Sequence, residues 1–190
     1  MSNKMDRPFL VGEKIYLRPF DLDDIDGNYF QWVNDSEIIR HLASNAFPKT
    51  KAEVVDYVTS TLNNKDYLFF AVIEKSSGKH IGNAKIGPIN WIDSRTGYGR
   101  MMSRDSWGKG YGTEILQLII RHVFDVLNLN RIIDYATSSN IASIKSNEKA
   151  GLDVEGEIEE HDYRDGEYQN VTILGLTRKR YIAKKRKGLI

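Results

Sequence analysis

The run from Ser103 to Ile120, SRDSWGKGYGTEILQLII, sets a strand end, a glycine-rich turn and a helix start in immediate succession. Gly108, Gly110 and Gly112 alternate with Lys109 and Tyr111, follow Trp107 and lead into Thr113, so bare backbone can approach a ligand closely. The helix that follows begins with N–H groups that have no intrahelical partner and with the positive end of its dipole. A phosphate or pyrophosphate suits such a place, because aligned amides supply donors without a basic side chain. A plain tight turn accounts for the same glycines, and that reading stays open on this stretch alone. Further along, Asn140 and Ser143 stand three apart and share a helical face, where Asn140 also serves as an N-cap.

The elements that position these residues are legible from periodicity. Ile115, Leu116, Ile119, Ile120, Val123 and Leu127 recur at helical spacing, which predicts a helix over about 112–127 with one buried face. Lys14 to Pro19 alternates Ile15 and Leu17 inward with Tyr16 and Arg18 outward, a half-buried strand. Asp21 caps a helix expected over 22–33, with Asp23 and Asp24 at its positive start. A short helix is expected over 36–42, then a loop from Ser44 to Lys49, then a helix to about Leu62 opened by the Thr50 and Glu53 capping box. Asp66–Glu74 and His80–Ile92 form a hairpin, and Thr96–Ser103 delivers the glycine turn. Arg131–Thr137 reads as a strand, 140–150 as a helix ended by Gly151, and 152–177 as two strands about the turn at Arg164, Asp165 and Gly166. The fold class is α/β (α+β): a mixed, mostly antiparallel central sheet with helices on both faces.

With 190 residues the chain is expected to form one domain, with a core over about 12–177 and a basic tail over 178–190. The absence of cysteine excludes disulfides, thiolate metal sites and a cysteine nucleophile, and no metal is expected. No apolar run is long enough to span a bilayer, and the first residues lack a signal core, so a cytoplasmic protein is expected. The net charge of +1 is uneven. Of 27 basic residues seven lie in 178–190, leaving 20 against 26 acidic ones in 1–177. Such a tail is read as a solvated terminus, with RNA or an anionic membrane as the lesser alternatives.

The strand, then Trp107 to Glu114, then an amphipathic helix, then Asn140 to Ser143 leading to Glu148, Lys149, Ala150, Gly151 and Leu152, resembles the GCN5-related N-acetyltransferase superfamily. The branch with ribosomal-protein alanine N-acetyltransferases and bacterial spermidine acetyltransferases is the most similar, over about residues 12–177. A Walker loop and a dinucleotide fingerprint both fail on pattern. The resemblance implies acetyl-CoA as cosubstrate, its pyrophosphate on Gly108, Gly110, Gly112 and Thr113, with Trp107, Lys109 and Tyr111 in the same turn. The backbone of Met101, Met102 and Ser103 would pair with the pantetheine, and Asn140 would touch the cofactor arm. Trp107 stands where relatives carry Gln or Arg. Asn147 stands where many relatives carry the tyrosine that protonates the departing thiolate, so Ser143 becomes the group near the sulfur.

The implied reaction is attack of a primary amine on the thioester carbonyl, with an oxyanion donor near the Met102 N–H. The strand carboxylate usual in relatives would align with Gly97, so the base must come from elsewhere. Asp162, in the hairpin where relatives place an acid facing the acceptor, is the first choice, and His161 the second. Trp32, Asn34 and Tyr163 are expected at the acceptor, with Asp35 and Phe47 near them. The acceptor is a small-molecule or peptide amine: a protein N-terminus, a polyamine or an amino sugar. The acid-rich segment that holds Glu155, Glu157, Glu159, Glu160, Asp165 and Glu167 would favour a cation. A homodimer is admitted and a nucleic-acid partner is not expected. A non-catalytic acyl-CoA sensor, or a module that docks ribosome or RNA through the basic tail, is the alternative.

Overall fold

The computed structural model describes residues 7–42 and 47–190. The expected loop at Ser44 to Lys49 lies partly outside them. The chain runs through a short strand β1 (Leu10–Val11), β2 (Ile15–Pro19), a broken helical stretch ending in α1 (Phe30–Trp32), α2 (Ser36–Ile39) and α3 (Lys51–Leu62). Next come β3 (Leu68–Glu74), β4 (His80–Asn90), β5 (Arg95–Met102), α4 (Tyr111–Arg121), β6 (Arg131–Thr137), α5 (Ile141–Ala150), β7 (Asp153–Arg164), β8 (Glu167–Thr177) and α6 (Arg178–Arg186). The strands form one sheet in the order β1-β2-β3-β4-β5-β6-β8-β7. Every neighbouring pair is antiparallel except β5 and β6, which run parallel.

That parallel pairing is short. It covers Arg95↔Arg131, Thr96↔Ile132 and Gly97↔Ile133, whereas β5 stays paired with β4 up to Met102. Beyond Gly97 and Ile133 the two strands part, and the sheet opens a wedge between Tyr98–Met102 and Asp134–Thr137. The wedge lies directly before the glycine turn.

Two cores flank the sheet. One packs Ile115, Leu116, Ile119, Ile120 and Val123 of α4 and its π-helical extension against Ile15, Leu17, Ile86, Ile132 and Leu174 of the strands. The buried face predicted for α4 is therefore the observed one. The other core sets Phe20, Ile25, Tyr29 and Trp32, with Val54 and Val58 of α3, on Phe69, Ala71, Ile73 and Met101. This second layer corrects the reading of β2 as half-buried. Arg18 is 4% exposed because the N-terminal helical layer covers its face.

Arg18 keeps its charge by a two-pronged bond to Asp24, at 2.6 and 2.7 Å. Asp24 also closes a capping box with Asp21, whose N-cap role is as predicted. Burial pushes the Asp24 carboxyl up, but the hydrogen bonds from Arg18 and the Asp21 backbone outweigh it and bring it down to about 2. The single helix expected over 22–33 is broken into a 3-10 turn, a π turn and one α turn. The break falls at Gly27, whose ψ of −127° is not helical.

The basic terminus is not solvated chain. Thr177 caps α6, Tyr181 is 2% exposed against Phe124, and its hydroxyl donates to Asp125. Arg178 donates to the carbonyls of Phe124 and Leu129, and Lys184 to Gly151 O and Asp153. Arg180 and Lys185 pair with Glu155 and Asp125. Four of the seven basic residues, Arg178, Arg180, Lys184 and Lys185, meet carboxylates or carbonyls of the domain, which the charge run alone does not show.

Candidate active site

The turn after β5 is built to present backbone. Gly108 and Gly110 have φ of +73° and +85°, a region that residues with a Cβ adopt at a cost. Gly110 is the N-cap of α4, no side chain caps it, and the first intrahelical bond is Glu114 N–H to Gly110 O at 3.2 Å. The N–H groups of Tyr111, Gly112 and Thr113 precede that bond and carry the helix's positive end. Gly112 serves packing instead, since a Cβ there would meet Arg100 Nε at 3.0 Å and Ser146 Oγ at 3.1 Å.

The flanking side chains brace the turn. Trp107, half-exposed, donates its indole N–H to Met102 O at 3.1 Å. Tyr111 is buried with its hydroxyl on Glu74, and Thr113 Oγ1 lies 3.1 Å from Ser146 Oγ. Lys109 is exposed beside them.

The register sorts the backbone expected to face a ligand. Ser103 N–H donates to Ile81 O at 2.9 Å, so by antiparallel alternation Met101 also bonds toward β4 while Met102, Arg100 and Tyr98 point into the wedge. Of Met101, Met102 and Ser103, only Met102 turns its N–H to the open side. The Met101 side chain lies in the core under the N-terminal helices. An open strand edge followed by an uncapped helix start fits a ligand with an amide-bearing arm and a pyrophosphate, which is the chemistry of acetyl-CoA.

The α5 side of the wedge holds a polar network that sequence reasoning found only in part. Asn140 caps α5 by accepting Ser143 N–H at 3.2 Å. Asn147 is fully buried. Its Oδ1 accepts from Arg100 Nη1 at 2.7 Å, and its Nδ2 donates to Asp134 Oδ2 at 2.5 Å. Arg100 Nη2 reaches Ser143 Oγ at 3.3 Å. Arg100 and Asp134 were missed because neither belongs to a motif. The signal was a lone acid, Asp134, between Ile132, Ile133, Tyr135 and Ala136 in the strand Arg131–Thr137.

Burial pushes the Asp134 carboxyl up to about 6, against the pull of Arg100 and the Asn147 bond. Since the folded value is raised, this group favours folding fully below the unfolded value near 4, and the contribution is lost as pH rises through about 6. Asp134→Asn should therefore raise stability at pH 7 to 8 by about 1–3 kcal/mol and match the parent below about pH 4. Urea unfolding at both pH values checks it, and a variant less stable at pH 8 would contradict it.

The opposite face carries the expected base. Thr137 Oγ1 donates to Asp162 Oδ2 at 3.1 Å, and Arg164 Nη2 lies 3.4 Å from the same oxygen. Strand alternation separates the two groups, with Asp134 toward α5 and Thr137 with Asp162 on the other face. His161 is exposed. Gly97 stands where the strands begin to part, and a Cβ there would meet Gly87 O at 3.0 Å.

The expected acceptor residues do not all converge. Trp32 is 7% exposed and packs its ring edge-on to His80 at 5.0 Å, so it supports the floor rather than lining an opening. Asn34 clamps Lys49 through both its N–H and its carbonyl. It lines a cleft of about 330 Å³ with Ser36, Ile39, Arg40, Phe47 and Asp165. Arg40 and Asp165 join across this cleft at 2.8 Å, and Asp35 pairs with Arg104. Tyr163 is exposed on the hairpin, edge-on to Tyr168 at 5.2 Å. Among the acids, Glu155 is taken by Arg131 and Arg180, and Asp165 by Arg40. Glu159 and Glu160 have no cationic partner among the described residues. No group of three or more His, Asp or Glu among them could hold a metal ion, and no helix there is long and apolar enough to cross a membrane.

A family model described as the acetyltransferase (GNAT) domain matches residues 14–153. The chain is 25% identical over 174 residues to an uncharacterized N-acetyltransferase p20 of Bacillus licheniformis, covering 90% of this chain and 97% of that one. It is 24% identical over 169 residues to the spermidine N(1)-acetyltransferase of Escherichia coli K12, covering 89% of each. The crystal structure of spermidine N-acetyltransferase from Vibrio cholerae in complex with CoA and spermine superposes with a TM-score of 0.83 at 19% identity, over 90% of this chain and 99% of that one.

Proposed function

The chain belongs to the GNAT acetyltransferase family, and from that membership we propose that it acetylates a polyamine, with acetyl-CoA lying along Met102 and over the Gly108–Thr113 turn. Transfer of an acetyl group from acetyl-CoA to an amine is the activity of the fold and the family. The observation that carries the proposed cofactor placement is the continuity of the wedge with the uncapped start of α4. Tyr111, Gly112 and Thr113 supply N–H groups to the pyrophosphate, and Met102 supplies one at the wedge.

The choice of a polyamine rests on the spermidine acetyltransferases among the relatives and on Glu159 and Glu160, exposed in the Asp162 hairpin and without a cationic partner among the described residues. A cationic chain gains from such a rim, and the gain is screened by salt. The basic terminus forms a helix packed on the domain, and its exposed Lys179, Arg186 and Lys187 are what a docking role would have to use.

Thiol release from acetyl-CoA with spermidine, an alanine-led peptide and an amino sugar tests the reading. Spermidine should be fastest, and its KM should rise with ionic strength while that for acetyl-CoA changes less. Acetylation of the sugar or peptide with spermidine inert would overturn the acceptor. Gly110→Val should weaken acetyl-CoA binding at least tenfold in calorimetry with the fold kept by circular dichroism, because a β-branched residue resists the left-handed N-cap. Unchanged affinity would remove the turn as the phosphate site.

A further inference from the structure

We propose that Arg100 is a catalytic residue that stabilises the departing CoA thiolate, held for that task by Asn147 and Asp134. The inference rests on the acetyl-transfer reading and adds a group to it. Arg100 lies on β5 within the wedge, three residues past the last pairing with β6 and two before Met102, so its backbone faces the path a pantetheine arm would take. Its side chain crosses to α5, where Nη1 donates to Asn147 Oδ1 at 2.7 Å and to Tyr98 Oη at 3.3 Å, and Nη2 donates to Ser143 Oγ at 3.3 Å.

The chain of contacts has a direction. Asp134 is buried, and its carboxylate receives the Asn147 N–H. With its nitrogen so engaged, the Asn147 amide must turn its oxygen to Arg100, which fixes the flip of the side chain and the angle of the guanidinium. Asn147, buried on the α5 side of the wedge, is an amide and cannot give up a proton. Ser143, the other group near that place, already receives a hydrogen bond from Arg100. A half-buried guanidinium held at the wedge, along the proposed path of the pantetheine arm, can meet negative charge on the sulfur without moving during the step.

The step balances without a general acid. The amine nitrogen forms a bond to the thioester carbon and gives its proton to the base on the other face of the sheet. Collapse of the tetrahedral adduct returns the oxygen's electrons to the carbonyl and breaks the C–S bond, whose electron pair leaves on sulfur. The sulfur departs as a thiolate facing Arg100, and water protonates it afterwards. Thiols near pKa 8.5 make this departure feasible at neutral pH once the charge is met.

Arg100→Ala and Arg100→Lys separate this role from packing. The acetyl-transfer reading is first secured by thiol release in the parent enzyme, so its failure shows there and not in the variants. Arg100→Ala should then lower kcat about a hundredfold, the scale of losing one charge-stabilising donor, while the Kd for acetyl-CoA in calorimetry stays within about threefold. Its solvent deuterium isotope effect on kcat should rise, because sulfur must now leave with a proton from water. Added guanidinium ion at millimolar concentration should restore part of kcat where equal sodium chloride does not. Arg100→Lys should retain more activity than Arg100→Ala, and it decides the matter if the alanine variant does not fold. A kcat within threefold of the parent in either folded variant would overturn the proposal. So would a loss confined to acetyl-CoA affinity, or an unchanged isotope effect with no guanidinium rescue.

Discussion

Replacing Asp162 with asparagine is expected to lower kcat/KM for a primary amine about a hundredfold, the scale of losing a positioned general base. The carboxylate sits beside Thr137 at the end of β6, oriented by the hydroxyl and by Arg164. An amine of pKa about 10 arrives mostly protonated. A carboxylate can hold that ammonium, pass its first proton on to water, and receive the second as the nitrogen bonds to the thioester carbon. Asparagine keeps the size and the bond to Thr137 but cannot take the proton. Affinity for acetyl-CoA should not change, because Asp162 lies on the face away from Ser143 and Asn147. Near-normal kcat/KM across several pH values would remove Asp162 and direct attention to His161 or to a water chain.

The second large effect concerns stability. Asp24→Asn should cost about 3–5 kcal/mol at pH 7, because it takes the two-pronged carboxylate from the 4%-exposed Arg18 guanidinium. With a folded value near 2 against about 4 unfolded, the Asp24 contribution is present above pH 4 and drains away as pH falls toward 2. Urea unfolding at pH 7 and at pH 2.5 should therefore show a difference that shrinks with acid. Replacing Arg18 and Asp24 together by leucines should recover much of the loss, since no buried charge is then left alone. A single-variant cost under about 1 kcal/mol would mean that water reaches the pair.

Those two sites differ in how far the sequence could show them. The strand, glycine turn and helix from Thr96 to Leu127 were legible because their cues are local: period two, then glycines, then period 3.6. The cap roles of Asp21, Thr50 and Asn140 were legible for the same reason. Arg18 looked like an outward residue because alternation tells which residues share a face and not whether the second face is covered. Arg100 lies inside a recognised strand, but its meaning depends on Asn147, 47 residues away, and on Asp134, 13 residues from Asn147. Helix α6 was hidden by its own charges, whose partners lie at Asp125, Asp153 and Glu155. Trp32, Asn34 and Tyr163 lie near one another in the reading of a pocket, yet only Asn34 meets the cleft, since aromatic type does not distinguish floor from wall.

The parting of β5 from β6 leaves the sheet open on both faces at one point, with Asp162 on one side and Ser143 on the other. A thioester held there can be approached by the amine from one side while its CoA portion rests on the other, so neither reactant has to leave before the second arrives. Direct attack of the amine on the thioester needs both substrates bound at once, so initial-rate lines in double-reciprocal form are expected to intersect; parallel lines would instead point to an acyl-enzyme, with Ser143 the nearest hydroxyl to carry it. The same openness admits a fresh amine while spent CoA is still in place. If such a dead-end complex forms, initial rates should fall at high acceptor concentration, and a rate that only saturates would contradict it.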